Sequence, residues 1–413
     1  MISHGLDADH FTYPFVLKAC AELSDLEQGR QIGESIKPDA RTNSYVQCAL
    51  IDMFAKCGSL SEARRVFEDM PMRDLVSWGA MICGTMQNGD WLEALNLFRR
   101  TLRRIHRSGL RPNYVTVVTV LPLCNRFAML NHGKELHGYV TRGGLSSVVS
   151  VNNSLIDMYC KCGCLEHGKK VYTQMINRDI VTYNTIIAAL GMHGHGNQAV
   201  MFFDHMKKER INPDRVTFIA LLSACSHAGF IDRGFSYYNS MTEDYGILPD
   251  MEHYSCMVDL YARSGYLDDA WEFIKSMPVD PDIDVLGSLL SACRIYKRID
   301  LAEFISMRIF EKKPEDPGYY VLLSNIYAAV GRWADVKKVR AMIKDKGLMK
   351  KPGNSWVQVG QCIHSFLAKD KTYTEHGMLQ DILRILSLEM REEGYIPDLI
   401  SLAEDDNIHE HIN

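Results

Sequence analysis

The chain lacks any long apolar run, because no stretch of 18 or more residues is free of polar side chains. Its most apolar stretches, residues 115–123 and 180–190, are interrupted by Thr, Pro or Asn. A membrane-spanning helix needs about 20 mostly apolar residues. The sequence therefore predicts a soluble protein.

An excess of positive charge is also missing. The 46 Lys and Arg residues are outnumbered by 51 Asp and Glu residues, which gives a formal net charge of −5. This balance excludes a strongly basic nucleic-acid binder, so any such binding would come from local surfaces. Residues 1–9 match neither an apolar secretory signal nor an Arg-rich transit peptide.

No C-x-x-C pair occurs among the 12 cysteines. Because no secretory signal is present, these cysteines indicate a reducing compartment and argue against a disulfide framework. Cys160, Cys162 and Cys164 alternate in "CKCGCL", but a structural zinc site needs two half-sites with paired ligands. We therefore predict no bound metal and no cofactor.

The sequence repeats itself with a period of 31 to 39 residues. Units begin at His10, Ser44, Leu75, Tyr114, Val149, Ile180, Arg215, Met251, Ile283 and Pro317. The twentieth position of a unit is small nearly throughout, which lets two helices approach closely. Its occupants are Gly29, Ala63, Ala94, Gly133, Gly168, Ala199, Gly234, Ala270 and Ala302, with Val336 in the last unit.

Each unit has the pattern of two short amphipathic helices. In the unit 180–214, a first apolar stripe ends before Gly194, and a second runs from Ala199 to Met206 before Pro213. Neither helix is long enough to be stable alone, so each hairpin must bury its stripe against its neighbours. The pattern predicts an all-α, right-handed superhelix (α-solenoid) of tandem helix-turn-helix repeats.

Position within the repeat also decides two local ambiguities. Residues 115–120 favour a strand by propensity, yet they occupy the first-helix slot of their unit, so we predict a helix there. Cysteines recur at fixed positions, which predicts small buried filler rather than ligands. They are Cys20, Cys124, Cys225 and Cys293 at the eleventh position and Cys57 and Cys162 at the fourteenth.

Three unit lengths alternate in order. The segments "IVTYNTIIAALGMHGHGNQAVMFFDHMKKERINPD", "ALIDMFAKCGSLSEARRVFEDMPMRD" and "RVTFIALLSACSHAGFIDRGFSYYNSMTEDYGILPD" resemble the P, S and L variants of plant pentatricopeptide repeats of the PLS class. "LGSLLSACRIYKRIDLAE" and "YYVLLSNIYAAVGRWADVKKVRAMIKDKGLMKKPGNSW" resemble the family's E motifs. The resemblance implies a partial repeat at 1–9, a repeat array at 10–282, E-type repeats at 283–350 and an extension at 351–413.

The extension carries two patterns of its own. "SWVQVGQCIHSFLAKDK" alternates like a β-hairpin around Gly360 and Gln361. Together with "EEGYIPD" it resembles the segment that precedes the DYW deaminase in this family. A zinc deaminase needs H-x-E and a downstream C-x-x-C, which the chain lacks, and the late pair His409–Glu410 is best explained by chance. After the hairpin, an apolar helix face is predicted at Leu379, Ile382, Leu383 and Leu386.

The resemblance implies a site-recognition factor for C-to-U editing of organellar transcripts. The chain itself would not be an enzyme: a deaminase recruited in trans would supply catalysis and zinc. We expect a mitochondrial location, with the chloroplast as the alternative, and a transit peptide upstream of a truncated start. Two other functions stay open, an RNA stability or splicing factor without an editing role and a protein-interaction scaffold.

Helical-repeat readers assign about one base to each repeat through two or three side chains. By resemblance, the fifth and last residues of a repeat choose the base, and an Asn at the fifth position offers both a donor and an acceptor. The implied tract is 5′-U/C-U-N-G-3′. The pairs are Asn153 with Asp179 and Asn184 with Asp214 for pyrimidine, chiefly U, and Ser255 with Asp282 for G.

Second-position side chains, such as Val181 and Val216, would sandwich each base. Lys56 and Lys161, at the thirteenth position of two S repeats, either contact phosphate or are ordinary solvated lysines. The remaining repeats have no clear reader. Their fifth residues are Pro14, Cys48, Gly79, Val118 and Ile219.

Overall fold

The computed structural model describes residues 8–90, 93–94, 96–98, 100–101, 114–126, 128–312, 316–348, 353–359, 362–367 and 376–394. The chain divides into two compact units, Met1–Ala189 and Leu190–Asn413. Both consist of tandem helix-turn-helix repeats, so the predicted all-α repeat fold is confirmed. Among the helices described, none combines the length and the apolar composition needed to cross a membrane.

In the first unit, most helices come in pairs of 10 to 13 residues. They span Thr12–Leu23, Leu26–Ser35, Pro38–Arg41, Ser44–Lys56, Leu60–Asp69, Leu75–Gln87, Tyr114–Arg126, Leu130–Arg142, Val149–Lys161 and Leu165–Gln174, with described helical residues also between 93 and 101. The helix Ile180–Met192 begins in this unit and ends in the second.

The second unit continues the pattern and ends in a hairpin and a longer helix. Its helices span Gly196–Lys208, Arg215–Ala228, Ile231–Glu243, Met251–Arg263, Leu267–Ser276, Ile283–Ile295, Ile299–Glu311, Gly318–Ala329, Trp333–Asp345 and His376–Glu392. The strands Asn354–Val359 and Cys362–Leu367 pair antiparallel, with Val359 opposite Cys362. This confirms the predicted hairpin, whose loop residues Gly360 and Gln361 lie outside the described part.

The predicted unit starts are the starts of the first helices in eight of ten repeats. The helix Tyr114–Arg126 replaces the strand that propensity favours, as the repeat register predicted. Two starts are shifted. The first helix begins at Thr12 rather than His10, and the Asp9 carboxylate accepts the Thr12 backbone N–H at 2.8 Å. In the last repeat, helix Gly318–Ala329 begins one residue after Pro317.

Within each unit, first helices of successive repeats pack against each other. In the first unit, Ser44–Lys56 contacts both Thr12–Leu23 and Leu75–Gln87. In the second, Met251–Arg263 contacts both Arg215–Ala228 and Ile283–Ile295. The apolar stripe of one hairpin is therefore buried by its neighbours, which is how helices of this length become stable.

All ten twentieth-position residues are buried, as their size predicted. A Cβ added at Gly29 or Gly133 would overlap the sulfur of Met53 or Met158, which belongs to the first helix of the following repeat. At Gly168 the overlap would be with the Cys160 sulfur, at 2.5 Å. The small residue thus sets how closely two helices approach.

The cysteines at the two repeated positions differ in how deeply they are buried. Cys20, Cys124, Cys225 and Cys293 are buried, as predicted. Cys57 and Cys162 are only half-buried, because the fourteenth position ends the first helix. Their sulfurs lie 4.0 and 3.5 Å from the carbonyl oxygens of Cys20 and Cys124 in the preceding repeats.

The turn inside each hairpin needs a left-handed residue at the fifteenth position. Glycine occupies it in most repeats, for example Gly163 at φ 80°. In three repeats the residue is not glycine, with Ser24 at φ 54°, Ala128 at φ 49° and Lys297 at φ 55°. A side chain in this region clashes with its own backbone, so these three turns are strained.

We predict that Lys297→Gly stabilises the protein by about 1 kcal/mol, because glycine relieves the left-handed strain. Gly163→Ala should destabilise it by about the same amount. The free energy of unfolding, followed by circular dichroism, measures both. Lys337→Gly, at an exposed position inside the helix Trp333–Asp345, is the control and should destabilise by about 1 kcal/mol. Equal effects of the two Lys→Gly changes would contradict the strain argument.

Candidate nucleic-acid interface

The pair Asn153 and Asp179 lies at the boundary between two repeats of the first unit. Asn153 is on the first helix of its repeat and is 6% exposed. Its Nδ2 donates to Asp179 Oδ1 at 3.0 Å, and its Oδ1 accepts from the hydroxyl of buried Thr182 at 2.7 Å. Because a carboxylate only accepts hydrogen bonds, this contact fixes which end of the amide faces Asp179.

Asp179 also caps the next first helix. Its Oδ1 accepts the backbone N–H of Thr182 at 2.8 Å and lies 2.8 Å from the Thr182 hydroxyl, whose single hydrogen it shares with Asn153 Oδ1. Burial by itself raises the pKa of Asp179, but these hydrogen bonds and the one from Asn153 outweigh it, so the pKa lies below its ordinary value. The carboxylate is therefore ionised at neutral pH and holds the Asn153 amide in one orientation.

In the second predicted pair, the aspartate again caps a first helix. Asn184 is buried on the helix Ile180–Met192. Asp214, in the second unit, caps the helix Arg215–Ala228 through a capping box, accepting the Thr217 N–H at 2.8 Å while its own N–H donates to the Thr217 hydroxyl at 3.0 Å.

Ser255 and Asp282 form the third predicted pair. Ser255 is half-buried on the helix Met251–Arg263, and Asp282 caps the helix Ile283–Ile295 by accepting the Val285 N–H at 2.8 Å. Neither a hydrogen bond nor an ion pair joins these two described residues. Ser255 is thus not oriented by its partner as Asn153 is.

Second-position side chains are exposed, as a base-sandwiching role requires. Val181 is 52% exposed and Val216 is 45% exposed. Phe11 and Tyr45 occupy the same position in the first two repeats and are 69% and 77% exposed. Sequence reasoning missed these two aromatics, although the repeat register alone would have found them.

The second position turns acidic in the later repeats. Glu252 contacts the guanidinium of Arg215 at 3.0 Å, and Asp284 accepts the Tyr319 hydroxyl at 2.9 Å. Glu252 belongs to the same repeat as Ser255, and Asp284 belongs to the next. They offer no apolar face to a base and would repel a phosphate.

The predicted cations lie one helical turn after a carboxylate. Lys56 pairs with Asp52 at 2.8 Å, and Lys161 pairs with Asp157 at 2.9 Å. The third S repeat has Arg263 at the same thirteenth position, which sequence reasoning missed because it looked only for lysine.

Among the repeats without a predicted reader, the repeat 44–74 has Cys48 at its fifth position and Asp74 at its last. The Asp74 carboxylate accepts hydrogen bonds from both sides of the repeat boundary. Asp74 caps the helix Leu75–Gln87 through the Ser77 N–H at 2.8 Å and accepts the Ser44 hydroxyl at 2.7 Å. Burial, with a contribution from Asp74, raises the pKa of the Cys48 thiol to about 12. Cys48 therefore stays a neutral thiol, a weak donor compared with an amide.

Three protein-family models match parts of the chain. The E motif model matches residues 296–358, and the PPR repeat family model matches residues 178–227. The PPR repeat model matches residues 48–75, 76–104, 153–180, 216–245 and 252–280.

The chain is similar to several pentatricopeptide repeat-containing proteins of Arabidopsis thaliana. It is 41% identical over 394 residues to a putative mitochondrial one, covering 95% of this chain and 62% of that protein. It is 39% identical to the chloroplastic CRR2, covering 95% of this chain and 60% of that protein. For a further putative member, the identity is 35%, with 96% of this chain and 67% of that protein covered. The chain thus spans about three fifths of the first two relatives.

Solved structures of a maize protein also align with the chain. The pentatricopeptide repeat protein PPR10 aligns with a TM-score of 0.45 at 21% identity, covering 85% of this chain and 56% of that one. PPR10 in complex with an 18-nt psaJ RNA element aligns with a TM-score of 0.36 at 14% identity, covering 84% of this chain and 70% of that one.

We predict that acid weakens the fold partly through Asp179. Because its pKa is depressed in the folded protein, its ionised form stabilises the fold above the ordinary pKa of 3.8, and that stability is lost as the pH falls through the folded pKa. Asp179→Asn keeps a capping oxygen but cannot titrate.

The measurement is the thermal midpoint of the wild type and of Asp179→Asn between about pH 7 and pH 3. The wild type should be the more stable at pH 7, and its advantage should shrink below about pH 4. Asp74→Asn should behave in the same direction, because the pKa of Asp74 is also lowered. An advantage of the wild type that does not change with pH would refute the assignment.

Proposed function

Because the chain belongs to the pentatricopeptide repeat family, we propose that it is a sequence-specific single-stranded RNA-binding protein. The observation that carries the proposal is the Asn153 amide, held by Asp179 and Thr182 at a repeat boundary. An amide fixed in this way loses little side-chain entropy when it meets a base, so its hydrogen bonds contribute more to selectivity.

Asn153 keeps hydrogen-bonding capacity after these contacts. Its Nδ2 has a second hydrogen and its Oδ1 a second lone pair, which together match the edge of a pyrimidine. Nearby, the exposed side chain of Val181 offers an apolar surface to the face of an unstacked base. We propose that Asn153 with Asp179 selects a pyrimidine, chiefly U.

The rest of the reading tract follows by the same analogy. Asn184 with Asp214 would select the next U, the repeat 215–250 would accept any base, and Ser255 with Asp282 would select G. Val216 would share the sandwiching role, and Lys56 and Lys161 would contact phosphates. The weak connection of Ser255 and its acidic neighbours make the G the least stringent of the three specified positions of 5′-U/C-U-N-G-3′.

The editing role is the second part of the proposal. It is supported by the match of residues 296–358 to the E motif. The repeats would position the chain on one organellar transcript, and the E-type region would recruit a DYW-type deaminase in trans. Zinc and the proton-transfer Glu would then belong to that partner. Relatives carry mitochondrial or chloroplastic in their names, and we propose the mitochondrion for this chain.

RNA selection by the purified chain tests the proposal. At one fixed salt concentration, the wild type should enrich 5′-U/C-U-N-G-3′ from a randomised pool. Asn153→Ala with Asp179→Ala should lose discrimination at the first pyrimidine alone, by roughly tenfold, since each good base contact contributes about 1 to 3 kcal/mol. Asn184→Ala with Asp214→Ala should act only on the following U.

Ser154→Ala is the matched control, because Ser154 neighbours Asn153 but its hydroxyl donates to the Ser150 carbonyl of its own helix. It should leave the selected tract unchanged. Indifference of the wild type to sequence would sink the reader hypothesis and favour a protein-interaction scaffold. Selection without any editing site beside the tract in organellar transcripts would favour a stability or splicing role.

A further inference from the structure

Each S repeat has a carboxylate and a cation on the same face of its first helix as the fifth residue. In an α-helix, residues spaced four apart lie one above the other. The fifth, ninth and thirteenth positions therefore form one line. The three lines are Cys48, Asp52 and Lys56; Asn153, Asp157 and Lys161; and Ser255, Asp259 and Arg263.

The ninth and thirteenth residues are ion-paired in all three. The distances are 2.8 Å for Asp52 with Lys56, 2.9 Å for Asp157 with Lys161, and 2.7 Å for Asp259 with Arg263. Each pair thus lies beside a candidate base-reading position. Each cation has its charge compensated there.

Two of these carboxylates are also held by the preceding repeat. Asn125 Nδ2 donates to Asp157 at 2.6 Å, and the Ser226 hydroxyl donates to Asp259 at 2.6 Å. Both donors occupy the twelfth position of their repeats, where the repeat before Asp52 has Ala21. A carboxylate anchored from two helices cannot easily swing away when RNA approaches, so the cation remains shared.

We propose that Asp157 and Asp259 are selectivity residues that limit the sequence-independent attraction of the reading face for phosphate. This inference rests on the proposed RNA-binding function. Phosphate contacts supply affinity without base information. A phosphate that meets Lys161 or Arg263 must compete with a fixed carboxylate, so base contacts such as those of Asn153 decide which RNA stays bound.

The test neutralises both carboxylates in the full chain. Asp157→Asn with Asp259→Asn keeps an acceptor for Asn125 and Ser226 but frees the two cations. The matched control, Glu166→Gln with Glu272→Gln, removes the same charge from the second helices of the same repeats. There the carboxylates pair with Lys169 and Lys275.

Binding of the 5′-U-U-N-G-3′ RNA and of a randomised RNA of equal length is measured across a salt series. The Asp variant should bind the randomised RNA roughly three- to tenfold more tightly, and its log–log salt slope should steepen by about 1.4, which is about 0.7 for each freed cation. Its preference for the tract should fall correspondingly. The Glu control should change neither the slope nor the preference.

A third variant separates freed charge from altered folding. Adding Lys161→Met and Arg263→Met to the Asp variant removes the freed cations and should return the salt slope to the wild-type value or below. Thermal midpoints of all variants confirm that each is folded at the assay temperature.

Four results overturn the inference: equal effects of the Asp and Glu variants, weaker binding of both RNAs by the Asp variant, an unchanged preference, or a steep slope that survives the Met changes. A wild type that shows no preference for the tract contradicts the proposed function itself. A wild-type preference that the Asp variant retains contradicts only this inference.

Discussion

The carboxylate that ends one repeat is the N-cap of the next first helix, and both the fold and the candidate interface depend on it. Asp74, Asp214, Asp250 and Asp282 all accept backbone N–H groups of the helix that follows, and Asp179 does the same through Thr182. Loss of such a cap costs about 1 kcal/mol. Capping of the next helix therefore favours Asp or Asn as the last residue of a repeat, in addition to any role of that residue in base selection.

The two residues of a reading pair are therefore under different structural constraints. The fifth residue lies inside a helix and is free to vary, as Asn153, Cys48 and Gly79 show. By contrast, the last residue is a capping Asp or Asn at most of the described repeat ends. The repeat 114–148 departs from this pattern. It ends at Val148, which makes no side-chain cap, and its fifth residue, Val118, has a side chain that cannot hydrogen-bond. At this repeat, neither a capping side chain nor a hydrogen-bonding reader is present.

Sequence reasoning succeeded where one short-range rule governs the structure. The repeat register placed the first helices, even at residues 114–126, because tertiary packing of a fixed unit outweighs the β-propensity of Val and Thr. It also identified the positions of the small residues. Both depend on patterns that recur every 31 to 39 residues, so each unit supports the interpretation of the others.

The contacts that define the interface were out of reach of the sequence. Asn153 meets Thr182, and Asp157 meets Asn125, across 29 and 32 residues. Whether two such side chains touch depends on how one hairpin is rotated against the next, which no single repeat encodes. The exposed face of the helix His376–Glu392 shows the same limit. The periodicity of its apolar residues predicted the helix, but it did not predict that Ile382, Leu383 and Leu386 are exposed.

The distribution of charge bears on the proposed RNA binding by a chain with a net charge of −5. The cations at the thirteenth positions of the three S repeats are paired with carboxylates on the same helix, which weakens their attraction for a phosphate. A larger share of the affinity then has to come from contacts with bases. Such contacts need both an oriented polar group and an apolar sandwich, and the repeat boundary after residues 149–179 offers both: Asn153 is oriented by Asp179, and the side chain of Val181 is exposed. The repeat that contains Ser255 has neither an oriented reader nor apolar flanks, so discrimination should decline toward it along the chain.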